Sequence, residues 1–129
     1  MKKFLPVILA AMLQLVHSTA VQASHALGGE ITYHSIGGND YEVRFDFYLD
    51  CQGIPAPSSM DLDVRSSCSN SFTVSLLPVQ GSPSVVTTGC PSALTTCNGG
   101  SYLGIRKNTY VGTIHLPATC SDWELDRKS

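Results

Sequence analysis

The sequence predicts an all-β fold, and three features of its 129 residues support that prediction. Apolar and polar residues alternate along several short segments, and turn-forming clusters separate these segments. No stretch after residue 23 keeps a 3.6-residue apolar period over three helical turns. Because side chains of an extended chain point alternately to opposite faces, the two-residue period indicates strands with one buried face.

The first 23 residues have the layout of a secretory signal peptide. Two lysines precede an apolar run over residues 4–16. This run is shorter than the stretch of about 20 apolar residues that spans a membrane, so we expect a cleaved signal and no stable membrane span. Val21 and Ala23 place small side chains at the positions that favour cleavage after Ala23, and Ala20 is the alternative boundary.

Removal of this segment, residues 1–23, leaves residues 24–129 as a single predicted domain. It takes away two of the eight basic residues, so the formal charge changes from −2 to −4. A mildly acidic chain without a basic cluster predicts no nucleic-acid partner. A domain of this size buries about two thirds of its unfolded surface, so we expect covalent cross-links to contribute to its stability.

Residues 30–50 predict a β-hairpin. The segment YEVRFDFYLDC, residues 41–51, is apolar at every odd position as far as Leu49 and charged at most even ones. Ile31 and Tyr33 repeat this alternation in the preceding segment, EITYH. The connecting residues, IGGND, tolerate the backbone conformations that a tight turn requires.

Four further segments are predicted to be strands. Residues 61–65 and 72–76 alternate apolar with polar side chains, as short half-buried strands do. Residues 102–106 and 109–117 flank the pair 107–108, which predicts a second hairpin with its turn at this pair. Loops rich in Gly, Pro, Ser and Thr are expected at 53–59, 80–84 and 90–100.

These strands favour an antiparallel, immunoglobulin-like β-sandwich, with a small barrel as the alternative. An antibody domain carries a buried tryptophan beside a pair of cysteines, whereas the single tryptophan of this chain, Trp123, lies close to the carboxyl end. The sandwich is therefore predicted from the strand pattern and not from a family signature.

Five cysteines follow the signal segment, and an exported chain meets an oxidising compartment in which disulfides are expected. Five thiols form at most two internal bridges, so the remaining one indicates a reactive thiol, a partner chain or a missing cysteine. Cys90 and Cys97 bracket only six residues, so we favour a local bridge between them. Cys51 would then pair with Cys68 or Cys120, and the sequence leaves both pairings open.

The candidate metal ligands do not predict a metal site. His25, His34 and His115 lack the spacing of zinc ligands, and the cysteines form no C-x-x-C pair. Asp61 and Asp63 offer fewer oxygens than the six to eight that calcium takes. We therefore expect neither a metal nor another cofactor.

Support in the sequence for catalytic residues is equally weak. Glu42 and Asp46 lie on the polar face of one predicted strand and could form the carboxylate pair of a glycosidase, but a solvated strand face is the preferred interpretation. The chain has no G-x-S-x-G nucleophile motif and no phosphate-binding glycine pattern. The sequence therefore predicts a protein that is not an enzyme.

Three aromatic residues could form a platform for a sugar ring or a peptide, because aromatic side chains offer a large contact area at a low entropic cost. They are Tyr102, Tyr110 and Trp123. Tyr110 follows the apolar alternation of its segment and is expected in the core. Tyr102 and Trp123 remain as candidate binding aromatics.

Three motifs stand out within residues 24–123. The first is S-H-A-L-G-G-E-I-T-Y followed by a strand that ends in Y-L-D-C, within residues 24–51. The others are C-N-G-G at 97–100 and Y-V-G-T-I-H-L-P with C-S-D-W at 110–123. Together these motifs resemble the amino-terminal region of large gliding motility-associated surface proteins, which contain PKD domains and use type IX secretion. The matching positions are His25, Gly28, Gly29, Glu30, Tyr33, Tyr48, Asp50, Cys51, Tyr110, Gly112, Leu116, Pro117, Cys120, Asp122 and Trp123.

This resemblance implies a non-enzymatic cell-surface module with an adhesive or structural role, whose partner is a surface glycan or protein. Members of that family continue through further sandwich domains to a carboxyl-terminal sorting domain, so the chain is expected to be a fragment whose downstream domains are missing. Its product is expected to be secreted to the cell surface, or periplasmic where the sorting domain is absent. The alternative function is a carbohydrate- or peptide-binding domain of a larger secreted enzyme.

Overall fold

A computed structural model of the chain describes residues 26–86, 89–90, 92–117 and 119–128. The predicted signal peptide lies outside these residues. The predicted all-β, antiparallel fold is confirmed. The strands are β1 Ala26–Gly37, β2 Asp40–Asp50, β3 Met60–Ser66, β4 Ser69–Pro78, β5 Ser84–Val85, β6 Ile105–His115 and β7 Glu124–Arg127, and one 3₁₀ helix spans Thr96–Asn98.

The strands form two facing layers that curl towards a barrel. Their order is β1-β2-β6-β4-β3-β7, with the short β5 also on β6, and every pair is antiparallel. β4 joins the two layers, because Leu77 and Pro78 pair with β6 while residues 69–76 pair with β3. β1 and β7 are the two ends of this order, and the sheet is nearly barrel-shaped.

The predicted hairpin at residues 30–50 is present as β1 and β2. Its turn is at Gly38 and Asn39, and Gly38 has a φ of 57°, a left-handed conformation that glycine adopts without steric cost. The odd residues of β2 face the second layer, as the alternation predicts. The buried core consists of Val43, Phe45, Phe47, Leu49, Met60, Leu62, Val64, Leu76, Tyr110, Ile114 and Leu116.

The predicted second hairpin is wrong, because β6 is one continuous strand. Lys107 and Asn108 lie inside it, and it pairs with β2 from the Asp40–His115 pair to the Asp50–Ile105 pair. Asn has a low strand propensity, but strand propensity depends strongly on context. Here an 11-residue partner strand supplies backbone hydrogen bonds along the whole segment, and this pairing decides its conformation.

The disulfides also differ from the predicted pairing. Cys51 bonds to Cys97 and Cys68 bonds to Cys120, with Cα–Cα distances of 5.1 and 6.1 Å, while the exposed Cys90 is in neither bridge. The local bridge from Cys90 to Cys97 is therefore wrong, as are both proposed partners of Cys51. The β2–β6 pairing explains the difference, because it places the end of β2 beside the loop that precedes β6.

Among the residues described by the structure, no helix has the length and apolar character needed to cross a membrane.

Candidate functional site

Large exposed apolar side chains are concentrated in two regions. One lies in the loop before β6, where Leu94, Tyr102 and Leu103 are 63, 66 and 54% exposed. The other is the edge strand β1, which exposes Leu27, Tyr33 and Ile36. Single exposed apolar residues are common on protein surfaces, but clusters of them mark interaction sites. All three side chains of the loop cluster line one hollow, whereas Leu27 and Tyr33 of β1 line two separate ones. The loop cluster is therefore the stronger candidate for a single binding site.

The hollow has a volume of about 810 Å³ and opens to solvent. We call the residues that line it the loop surface. Glycine, alanine, leucine and tyrosine dominate the lining, and its polar groups are hydroxyls and a thiol. The lining residues are Gly89, Cys90, Ser92, Ala93, Leu94, Thr95, Tyr102 and Leu103.

A disulfide and several hydrogen bonds hold this loop in place. Cys97, in the 3₁₀ helix, is tied to Cys51 at the end of β2. The backbone N–H of Thr96 donates to the carbonyl of Tyr102 at 2.7 Å, and the Thr96 hydroxyl accepts from the N–H of Gly104 at 2.9 Å. A loop fixed in this way loses little conformational entropy when it binds a partner.

The C-N-G-G tetrapeptide forms the tight turn of the loop. Gly99 has a φ of 79°, which favours glycine, and it ends the 3₁₀ helix. A Cβ atom on Gly100 would overlap the carbonyl oxygen of Leu94, so a side chain is excluded there. The glycines of this motif therefore allow Leu94 to pack over the turn while its side chain stays exposed.

The structure places the three candidate aromatics in different environments. Tyr102 lines the loop surface, whereas Trp123 packs edge-to-face on Phe72 at 6.3 Å and lines a separate hollow beside Tyr33. Tyr110 is buried, as expected, and its hydroxyl donates to the carbonyl of Pro57 at 2.7 Å. The three aromatics therefore form no common platform, and only Tyr102 belongs to the loop surface.

Asp46 is not on a solvated strand face, since it is only 9% exposed. Its carboxylate accepts hydrogen bonds from the Thr109 hydroxyl and from Arg44 Nε, the latter at 3.1 Å, and Lys107 Nζ lies 3.7 Å away. Burial raises the pKa of Asp46, but the bonds from Thr109 and Arg44 and the two nearby positive charges outweigh it, so the pKa is lowered. The group is a structural ion cluster between β2 and β6.

Glu42 lies on the same face of β2 but has a different partner. Its side chain is 44% exposed, and its carboxylate lies 3.8 Å from His34 Nε2. A glycosidase needs two carboxyl groups that face one substrate. Asp46 is instead bonded to its own neighbours, so these two carboxylates do not form such a pair.

One group of potential metal ligands is made of Cys68, Cys120 and Asp122, whose ligand atoms lie within 4.8 Å of one another. The two sulfurs are bonded to each other, however, and metal coordination requires thiolates. The Asp122 carboxylate accepts hydrogen bonds from Ser66 Oγ at 2.7 Å and from the Ser67 N–H at 2.9 Å. This cluster therefore fixes the segment before β7 to the β3–β4 turn.

The other residues considered as metal ligands are dispersed. Asp61 and Asp63 accept hydrogen bonds from Ser75 and Thr73 across the β3–β4 pair. His34 lies beside Glu42, His115 Nδ1 lies 2.6 Å from Asp40, and His25 is outside the described residues. Those of them that the structure describes therefore lie at separate places on the sheet.

Sequence reasoning found Tyr102 but missed Leu94 and Leu103. Their only sequence signal was the presence of leucines in a loop otherwise rich in Ser, Thr and Gly. No family model, no curated protein and no solved structure matches the chain, so the geometry of the loop surface is the basis for inferring its function.

Proposed function

We propose that the protein is a non-enzymatic, exported surface module that binds a protein partner through the loop surface, and so serves adhesion. One observation carries this proposal. Leu94, Tyr102 and Leu103 expose their apolar side chains around a hollow, on a loop that the Cys51–Cys97 disulfide ties to β2. Exposing these side chains to water is unfavourable, and burying them against a partner removes that cost.

The export part of the proposal is supported by two features. The first 23 residues have the composition of a secretory signal, and the structure contains two disulfides. Both features fit the resemblance to gliding motility-associated surface proteins. The proposed setting is therefore the cell surface, or the periplasm if the chain is not sorted further.

The chemistry of the lining favours an apolar peptide segment over a sugar. A sugar ring presents many hydroxyl groups, and a specific site needs several well-placed polar partners for them. The loop surface offers mainly leucine, alanine and glycine surfaces around one tyrosine ring. The carbohydrate-binding alternative would require most of those hydroxyls to stay in contact with water.

The experiment compares binding of the wild-type protein to a displayed peptide library and to a glycan array. We expect peptides with large apolar residues to bind, and we expect Tyr102→Ala to weaken that binding by about tenfold or more, as loss of an aromatic anchor does. A matched control is Leu77→Ala, because Leu77 is 62% exposed but lies on β4.

Three results would contradict the proposal. The first is an absence of binding to either panel, and the second is an equal loss of binding in the Tyr102 and Leu77 variants. Binding of glycans alone, with loss in the Tyr102 variant, would replace the peptide partner with the carbohydrate alternative.

A further inference from the structure

We propose that two copies of this protein pair through the free edge of β1, antiparallel and with the twofold axis at Thr32. The loop surface takes no part in this contact, so the inference does not depend on the proposed function. It rests on three observations: the contrast between the two edge strands, the direction of the backbone groups of β1, and the polar side chains that one pairing register brings together.

The two edges of the sheet differ in how they resist pairing. β7 has only four residues, and three of them, Glu124, Asp126 and Arg127, are charged. Short, charged edges are a common protection against edge-to-edge association. β1 has 12 residues without proline or lysine, and its irregularities lie only near its two ends, which leaves residues 28–35 as a regular run. This run is long enough to form a stable ladder with a second strand.

Hydrogen bonds show which backbone groups of β1 face outwards. The N–H of Cys51 donates to the carbonyl of Gly104, and the N–H of Leu116 donates to that of Asn39, so the odd residues of β2 point their backbone groups at β6. The even residues of β2 must therefore bond to β1. Residue pairs of two antiparallel strands alternate between hydrogen-bonded and non-bonded, so the even residues of β1 direct their backbone N–H and C=O groups towards β2. The odd residues of β1 direct theirs towards the free edge of the sheet, and we call them the outward residues.

Only odd residues of β1 can therefore bond to odd residues of a second copy. The outward residues of the regular run are Gly29, Ile31, Tyr33 and Ser35. With the axis at Thr32, Ile31 meets Tyr33 and Gly29 meets Ser35 of the other copy. Each outward residue supplies one N–H and one carbonyl, so this pairing forms about eight backbone hydrogen bonds between the copies.

Side-chain complementarity between an acid and an imidazole favours this register over its neighbours. With the axis at Thr32, Glu30 of each copy lies opposite His34 of the other copy, on the face of the sheet that is turned away from the core. The two residues form a pair without backbone hydrogen bonds, in which the side chains are close. With the axis at Ile31, Glu30 would face Thr32, and with the axis at Tyr33 it would face Ile36. Within the described residues, Glu30 has no ion-pair partner, and its register neighbour on β2 is the acidic Asp46.

The two paired strands would present apolar side chains on the face of the sheet that is turned towards the core. Ile31 packs against the core and Tyr33 is 65% exposed beside Tyr41, with a ring-centroid distance of 6.2 Å. Contact between Ile31 and Tyr33 of the two copies would continue the apolar inner face of the sheet. This contact would cover Tyr33, one of the three exposed apolar residues of β1.

The first test measures the mass of the protein, expressed from its full coding sequence, by sedimentation equilibrium across micromolar concentrations. We expect a reversible dimer. Tyr33→Pro removes an outward N–H, which an edge strand tolerates, and should raise the dissociation constant by about tenfold or more without loss of the β-sheet circular dichroism. Tyr33→Ala keeps that N–H and should raise the constant less. A monomer at every concentration, or equal effects of the two variants, would overturn the proposal.

The second test checks the register by cross-linking, with Cys90→Ser in every protein. Thr32→Cys places two sulfurs opposite each other at the axis, in a non-bonded pair with a Cα–Cα distance of about 4.5 Å, within the range of disulfides. Ser35→Cys places them several residues apart. We expect mild oxidation to give a covalent dimer of the Thr32 variant and to leave the Ser35 variant monomeric. Equal yields from the two variants would contradict this register.

Discussion

Gly104 packs so closely against Cys97 that a Cβ atom on residue 104 would lie 2.5 Å from the Cys97 sulfur. The same atom would lie 2.9 Å from the hydroxyl oxygen of Thr95, which lines the loop surface. Gly104 is the residue just before β6, so the absence of a side chain there allows the disulfide loop to lie directly on the sheet. The shape of the loop surface therefore depends on this glycine.

We expect Gly104→Ala to lower the free energy of unfolding by about 1–3 kcal/mol, because inserting a methyl group into a closely packed site forces its neighbours to move. Urea unfolding followed by circular dichroism measures this change. Gly89→Ala is the matched control, since a Cβ atom on Gly89 would meet nothing within 4 Å. Equal stabilities of the two variants would show that the contact is not tight in solution.

The Cys51–Cys97 disulfide joins residues 46 positions apart, and the chain-entropy account assigns a bridge of this span a stabilisation of about 4 kcal/mol. We expect a variant in which alanine replaces both cysteines to lose most of that stabilisation, measured as the free energy of unfolding in urea. Replacing Cys68 and Cys120 by alanine is the control, because that bridge has a similar separation of 52 residues. The losses should be comparable.

Limited proteolysis separates the two disulfides by their local effects. Only the Cys51–Cys97 bridge ties the 3₁₀ helix to β2, so its removal should expose residues 92–103 to cleavage under conditions in which the folded control is intact. Cleavage of this loop at the same rate in both double variants would show that hydrogen bonds, and not the disulfide, hold it.

The fold class could be predicted because one interaction dominates it. Val43, Phe45, Phe47 and Leu49 alternate with polar residues along β2, and burying that face requires a second layer. The continuity of β6 could not be predicted, because Lys107 and Asn108 have turn-forming character locally. Their conformation depends on pairing with Tyr48 and Phe47, which are about 60 positions away in the chain.

The candidate site was predicted less completely for the same reason. Cys90 and Cys97 are close in sequence, and short loops close at a low entropic cost, but the fold brings Cys51 to Cys97 instead. Tyr102 was identified because it is aromatic. The hollow around it depends on how the loop folds over Gly104, and no periodic pattern encodes that arrangement.

Asp46 should contribute to stability in a pH-dependent way. Its pKa is lowered in the folded state, so the carboxylate stabilises the fold above its unfolded pKa of about 3.9, and this contribution disappears as the pH falls through the folded value. We expect Asp46→Asn to cost about 1–2 kcal/mol at pH 7, since Arg44 and Lys107 lose their partner and are themselves partly exposed. Urea unfolding of both proteins between pH 7 and pH 2 measures it.

The difference between wild type and Asp46→Asn should therefore shrink below about pH 4. Glu42→Gln is the control on the same strand face, and we expect it to cost less than about 0.5 kcal/mol because Glu42 is well exposed. If the difference in the free energy of unfolding between wild type and Asp46→Asn stayed constant with pH, the ionised Asp46 carboxylate would not be the group that stabilises the fold.

Asp122 should titrate at an unusually low pH. Hydrogen bonds from the Ser67 side chain, from the Ser66 hydroxyl and from the Ser67 backbone lower its pKa to about 2. Its effect on stability is therefore complete above about pH 4 and is lost as the pH falls through about 2. Carbon-detected NMR of the carboxyl group measures the pKa directly.

We expect Ser67→Ala and Ser66→Ala each to raise the pKa of Asp122, because each removes a donor that stabilises the carboxylate. Ser69→Ala, at the start of β4, is the control and should leave the titration unchanged. A pKa near 3.9 in the wild-type protein would show that the serine hydroxyls do not bond to Asp122 in solution.

Asn108 lies in β6 at a site that an apolar side chain would suit better. It is 4% exposed, and its Nδ2 group is buried without an acceptor within the described part of the chain. A buried donor without a partner costs about 1–3 kcal/mol, and leucine has nearly the same shape as asparagine. We therefore expect Asn108→Leu to raise the free energy of unfolding by about 1 kcal/mol in a urea titration.

Asn108→Asp distinguishes this explanation from a general tolerance of substitution at residue 108. Aspartate has the size of asparagine but would place a negative charge beside Phe47, its pairing partner on β2, so we expect a loss of stability that is largest above the pKa of the new carboxyl. If Asn108→Leu destabilised the protein instead, the Asn108 amide would have to make a hydrogen bond that the described residues do not provide. A polar contact, and not apolar packing, would then stabilise β6 at this residue.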